Sequence, residues 1–73
     1  MTERSLLEMK RGTQSQVLSL EGTDAVRLRL ATLGIAPGTV VEVRQTWPAV
    51  VVRVDHSEFA LERDIASAVR VAS

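Results

Sequence analysis

The sequence predicts a mainly β domain, about five short strands wrapped into a small barrel with one α-helix between the first two. Three observations predict it. Short apolar runs of alternating or β-branched character recur along the chain, each bounded by turn chemistry. Only one segment, at about residues 24 to 33, keeps helical spacing beyond a single turn. With 73 residues in all, folding removes only about 60% of the surface the unfolded chain exposes, which favours closure of a bent sheet over a flat one with open edges.

The opening Ser5 to Gly12 is too short and mixed in period for a long element and reads as one turn ended by Gly12. Gln16 to Leu20 alternates and is followed by the turn residues Glu21-Gly22, giving the first predicted strand. Thr23 or Asp24 then caps a helix with Val26, Leu30 and Leu33 at i, i+4 and i+7, and Leu28 and Ala31 widening that stripe. Gly34 supplies the helix C-cap, and Pro37-Gly38 turns the chain into a second strand, Val40 to Gln45. Thr46-Trp47-Pro48 breaks that strand, and Ala49 to Val54 resumes it as the return arm of a hairpin. Asp55-His56-Ser57 is a second turn, and Glu58 to Leu61 a further strand with Phe59 and Leu61 on one face. Glu62 to Ala66 allows one helical turn, and Ser67 to Val71 closes the chain with Val69 and Val71 inward. Residues 1–73 thus form one domain, a small SH3-like or OB-like barrel with the helix over one open end, burying Val26, Leu30 and Leu33.

Composition excludes several classes of function. Nine Lys plus Arg balance nine Asp plus Glu with the signs interspersed, unlike a general polyanion binder. One Trp, one Phe and no Tyr leave no stacking platform for single-stranded nucleic acid. There is no cysteine, and no run approaches the length of a membrane span or a signal core, so a cytoplasmic protein without membrane insertion is expected.

The run from Arg29 to Val43 resembles the signature of the FeoA family, small cytosolic accessory proteins of bacterial ferrous-iron transport. Leu30, Leu33, Gly34, Ile35, Pro37 and Gly38 occupy the motif positions, with Arg29 at or beside its basic place. The tail Phe59 to Val71 is similar to the family's closing pattern, and the likeness spans Leu7 to Val71. Glu62 stands where relatives often carry Arg, His56 where they often carry Gly, and the Trp47-Pro48-Ala49 connection is shorter than usual. The resemblance implies an SH3-like barrel that binds and modulates FeoB, the membrane ferrous-iron transporter with a cytosolic GTPase domain. The same barrel is similar to the C-terminal domain of iron-dependent repressors, so the alternative is a stand-alone SH3-like regulatory interaction domain; in 73 residues beginning at Met1, no DNA-reading domain is expected.

The chain itself offers little chemistry. His56, the only histidine, sits with Asp55 and Glu58 on a turn that spreads its side chains, whereas zinc sites need three or four convergent ligands. No metal and no cofactor are expected. Glu62-Arg63-Asp64 reads as a charged solvent face, not an acid–base pair, and Gly34 to Gly38 follows a helix and so cannot cradle phosphate at a helix N-terminus. No Walker A loop is present, and no enzymatic activity is expected. Trp47 stands out. Beside Pro48 in a short hairpin it is expected as an exposed anchor for a partner or for self-association, with Val40 and Val51 extending the apolar patch and Arg27 and Arg29 rimming it.

Overall fold

Strand alternation and one strong helix stop decide most of the architecture. In the computed structural model, which describes residues 3–72, the elements are β1 (Glu3–Ser5), a 3-10 turn (Leu6–Glu8), β2 (Gln14–Leu20) and α1 (Asp24–Thr32). They continue as β3 (Val40–Gln45), β4 (Val50–Val54), β5 (Ser57–Leu61), α2 (Arg63–Ala66) and β6 (Val69–Ala72). The strands form one antiparallel sheet in the order β1-β6-β2-β3-β4-β5.

Among the described residues there are thus six strands where five were predicted, the helix lies between β2 and β3, and the turn at 62 to 66 is a short second helix. The missed strand, β1, has no alternation of its own. It is a strand because Glu3, Arg4 and Ser5 pair with Ala72, Val71 and Arg70. Arg70 Nε donates to Glu3 Oε1 at 2.9 Å across that pair. This hydrogen bond holds the Arg70 guanidinium above the ordinary arginine pKa.

β2 makes the corner of the fold. Its residues Gln14 to Gln16 pair with β3, while Val17 to Leu20 pair with β6, with a register shift between Val17 and Ser19. A second shift between Val43 and Gln45 bends β3 against β4. The sheet therefore curls around a core built from the inward positions Val17, Val41, Val43, Val50, Val52, Leu61, Val69 and Val71, all fully buried. Among the described residues its hydrogen bonding does not close, contrary to expectation: β1 and β5 stay at the two ends of the strand order.

Leu30 is the one fully buried residue of α1; Val26 and Leu33 are half-buried, and the predicted stripe is narrower than expected. Leu28 is 69% exposed and Ala31 is exposed. Residues two positions apart on a helix are about 200° apart around its axis, so Leu28 points away when Leu30 points in. The helix starts where Thr23 Oγ1 accepts from the Val26 N–H at 3.2 Å. It ends in a Schellman motif: the Gly34 N–H donates to the Ala31 carbonyl and the Ile35 N–H to the Leu30 carbonyl, both at 2.9 Å. Ile35 and Leu30, the apolar pair of that motif, are both completely buried.

Gly34 takes φ +84, and a Cβ built there would meet nothing within 4 Å. Gly34→Ala is therefore expected to cost about 1–2 kcal/mol from backbone conformation alone, measured by urea denaturation. Beyond it, Pro37 and Gly38 fill a turn in which the Thr39 N–H donates to the Ala36 carbonyl at 3.0 Å. That turn is pinned to β2 by bonds from Gly38 N–H to the Val17 carbonyl and from Val17 N–H to the Thr39 carbonyl, at 2.8 and 2.7 Å.

Candidate partner-binding site

The β3–β4 hairpin presents the largest side chain of the protein to solvent. Trp47 is 72% exposed and joined to Pro48 by a cis peptide. An exposed indole offers a large, rigid apolar area with few torsions to freeze, the kind of side chain enriched at binding hot spots.

The side chain that holds it comes from α2. The Arg63 guanidinium carbon lies 5.4 Å from the centroid of the Trp47 ring, and Arg63 Nη1 donates to the Thr46 carbonyl at 2.7 Å. One arginine thus fixes the hairpin backbone and stacks on the indole. On the other side Gln45 Nε2 donates to the Ala49 carbonyl at 3.3 Å. Val50 pairs with Leu61 in the adjoining ladder, which brings the start of α2 to this end of the sheet. Sequence reasoning placed Arg63 on a charged solvent face; its contact with Trp47 had no local signal. Arg63→Ala is expected to cost about 1 kcal/mol of stability, the loss of one exposed stacking contact and one charge-assisted hydrogen bond, read from the urea midpoint.

The other residues expected at this surface are Arg27, Arg29, Val40 and Val51. Arg27 is paired with Asp24 and donates to the Gly22 carbonyl, and Arg29 is exposed. Val40, 54% exposed, sits at the far end of β3 opposite Gln16. Val51 is half-buried and does lie near the hairpin, opposite Gln45 and Ala60.

Asp55 and His56 form the exposed β4–β5 turn, with Asp55 at φ +55. Glu58 points to Arg44, whose Nε is 3.6 Å from Glu58 Oε2. Among the described residues no three His, Cys, Asp or Glu side chains gather closely enough to hold a metal ion. Glu62 precedes α2 without a side-chain capping bond, and Asp64 Oδ1 accepts from the Ile65 N–H at 3.0 Å, a local helix-start contact. A shallow cleft of about 400 Å³ lies away from Trp47, lined by Arg4, Glu8, Met9, Lys10, Thr13, Gln14 and Ala72. No helix among the described residues is long and apolar enough to cross a membrane.

A curled six-stranded antiparallel sheet with a helix between β2 and β3, and an exposed aromatic hairpin as its most pronounced surface feature, defines a small SH3-like domain. The FeoA domain model matches residues 4–73, and the chain belongs to the FeoA family. It is similar to the crystal structure of the Iron Uptake Regulatory Protein (FeoA), with TM-score 0.90 and 25% identity over 99% of this chain and 97% of that one. It is also similar to the zinc-complexed FeoA of Stenotrophomonas maltophilia, with TM-score 0.81 and 28% identity over 92% and 87% of the two chains. That protein is described as a procaryotic SH3 domain protein and proposed as a bacterial ferrous iron transport activating factor. T. acidophilum IdeR shares the fold, with TM-score 0.91 and 22% identity, and there this chain matches only 34% of the longer protein. A search of curated proteins returned no match.

Proposed function

We propose that this chain is a non-enzymatic, cytoplasmic accessory protein of ferrous-iron uptake that binds the cytosolic face of a FeoB-like membrane transporter and modulates it. Family membership supports the pathway, and the exposed Trp47 held by Arg63 is the single observation that carries the mode of action. Binding energy from that surface would favour one conformation of the larger protein, because a ligand shifts an equilibrium by its differential affinity for the two states. The likeness to the repressor IdeR supports an alternative, a stand-alone SH3-like regulatory interaction domain, at the level of fold.

The test is direct binding of the purified chain to the purified cytosolic region of the transporter, with and without guanine nucleotide. Saturable binding in at least one nucleotide state is expected. No binding in either state overturns the proposal.

A further inference from the structure

An arginine carries five N–H donors, and Arg63 spends only one bond within the chain, from Nη1 to the Thr46 carbonyl at 2.7 Å. Its other donors have no acceptor among the described residues, and no described carboxylate lies within ion-pair distance of its guanidinium. Its sequence neighbours do not answer the charge: Glu62 makes no side-chain capping bond, and Asp64 Oδ1 accepts from the Ile65 N–H. This open cation lies over an equally open ring, since Arg63, Trp47 and Pro48 are all exposed.

We propose that Trp47 and Arg63 together read an acidic peptide segment of the partner, one that carries an apolar side chain one or two positions from an Asp or Glu. This rests on the reading of Trp47 as the partner contact and adds the chemistry that the contact selects. The indole and Pro48 supply apolar area for the first side chain. The free N–H fork of Arg63 supplies paired donors for the second, a carboxylate whose two oxygens match that geometry. The guanidinium carbon and the ring centroid are 5.4 Å apart, within the roughly 3.8–6.6 Å between residues one and two positions apart on an extended chain. Because the Thr46 carbonyl and the indole already hold the arginine, little of its rotamer freedom remains to be lost on binding. A carboxylate also suits the place better than a phosphate dianion, since Glu62 and Asp64 flank Arg63 in the sequence and oppose a second negative charge. The cleft that holds Arg4 and Lys10 is less suited to such a segment: Glu8 lies in it, and no aromatic ring lines it.

The probes are two capped tripeptides, acetyl-leucyl-glutamyl-leucinamide and its glutaminyl counterpart, titrated into the isotope-labelled native chain while NMR follows the Trp47 indole N–H and the Arg63 Nε–H. The glutamyl peptide is expected to shift both signals with a Kd of about 1–10 mM. At low salt it is expected to bind about three to five times more tightly than the glutaminyl peptide, the scale of one exposed ion pair. Added salt is expected to shrink that difference, and Arg63→Gln to abolish it. Equal affinity of the native chain for the two peptides, no shift at either group up to about 30 mM peptide, or shifts centred on Arg4 and Lys10 overturns the proposal. If Arg63→Gln displaces the indole, the two peptides compared on the native chain decide the outcome. Peptide discrimination at Trp47 and Arg63 without binding to the transporter's cytosolic region supports the ligand chemistry and contradicts the proposed function. Transporter binding through Trp47 that Arg63→Gln leaves unchanged contradicts this inference and spares the proposed function.

Discussion

Leu30→Ala is expected to lower the free energy of unfolding by about 3 kcal/mol, within the 2–5 kcal/mol range of buried leucine truncations. Leu30 is the only fully buried residue of α1, and its carbonyl accepts the closing bond of the Schellman motif from Ile35. Truncation leaves Ile35 without its apolar partner and leaves a void between the helix and the sheet. A domain this small has a total stability on the order of 4–11 kcal/mol, so the change removes a large part of it. Leu28→Ala, two residues away on the exposed face, is the control and is expected to change stability by less than about 0.5 kcal/mol. Equal losses for the two variants in urea would show that α1 is held by something other than Leu30.

Trp47→Ala is expected to weaken binding to the transporter's cytosolic region by about 2 kcal/mol, roughly thirtyfold, while leaving the domain folded. The exposure of the indole supports both halves of this expectation, since removal of a side chain 72% in water empties no core space. What the variant loses within the chain is the stacking of Arg63, worth about 0.5–1 kcal/mol at an exposed site. Circular dichroism reads the fold and calorimetry the affinity. A variant that unfolds assigns Trp47 to the core, and a variant with native affinity places the interface elsewhere.

How far these results were legible in the sequence depends on how local each determinant is. The stretch Leu30, Leu33, Gly34, Ile35, Pro37 and Gly38 was readable because a Schellman cap and a Pro-Gly turn are decided within a few residues, and the structure shows both. Strands β3, β4 and β6 were readable from their valine-rich runs, and β5 from Phe59 and Leu61 on one face. β1 was not, because its pairing partners lie at the far end of the chain. The Trp47–Arg63 stack was hidden for the same reason: Arg63 bonds Thr46 across 17 residues, through a register of β4 and β5 that sequence alone does not supply. Exposure of Leu28 could have been read from its angle to Leu30, had the helix been expected to bury a single residue in full.

The most direct test of a Trp47-centred contact with the transporter is a titration of isotope-labelled chain with the purified cytosolic region of a FeoB-like transporter, followed by backbone and indole NMR shifts. The largest perturbations are predicted at Thr46, Trp47, Ala49 and Arg63, around the one strongly exposed aromatic side chain. Perturbations confined to α1 around Arg27, Leu28 and Arg29, or none at saturating partner, would contradict it.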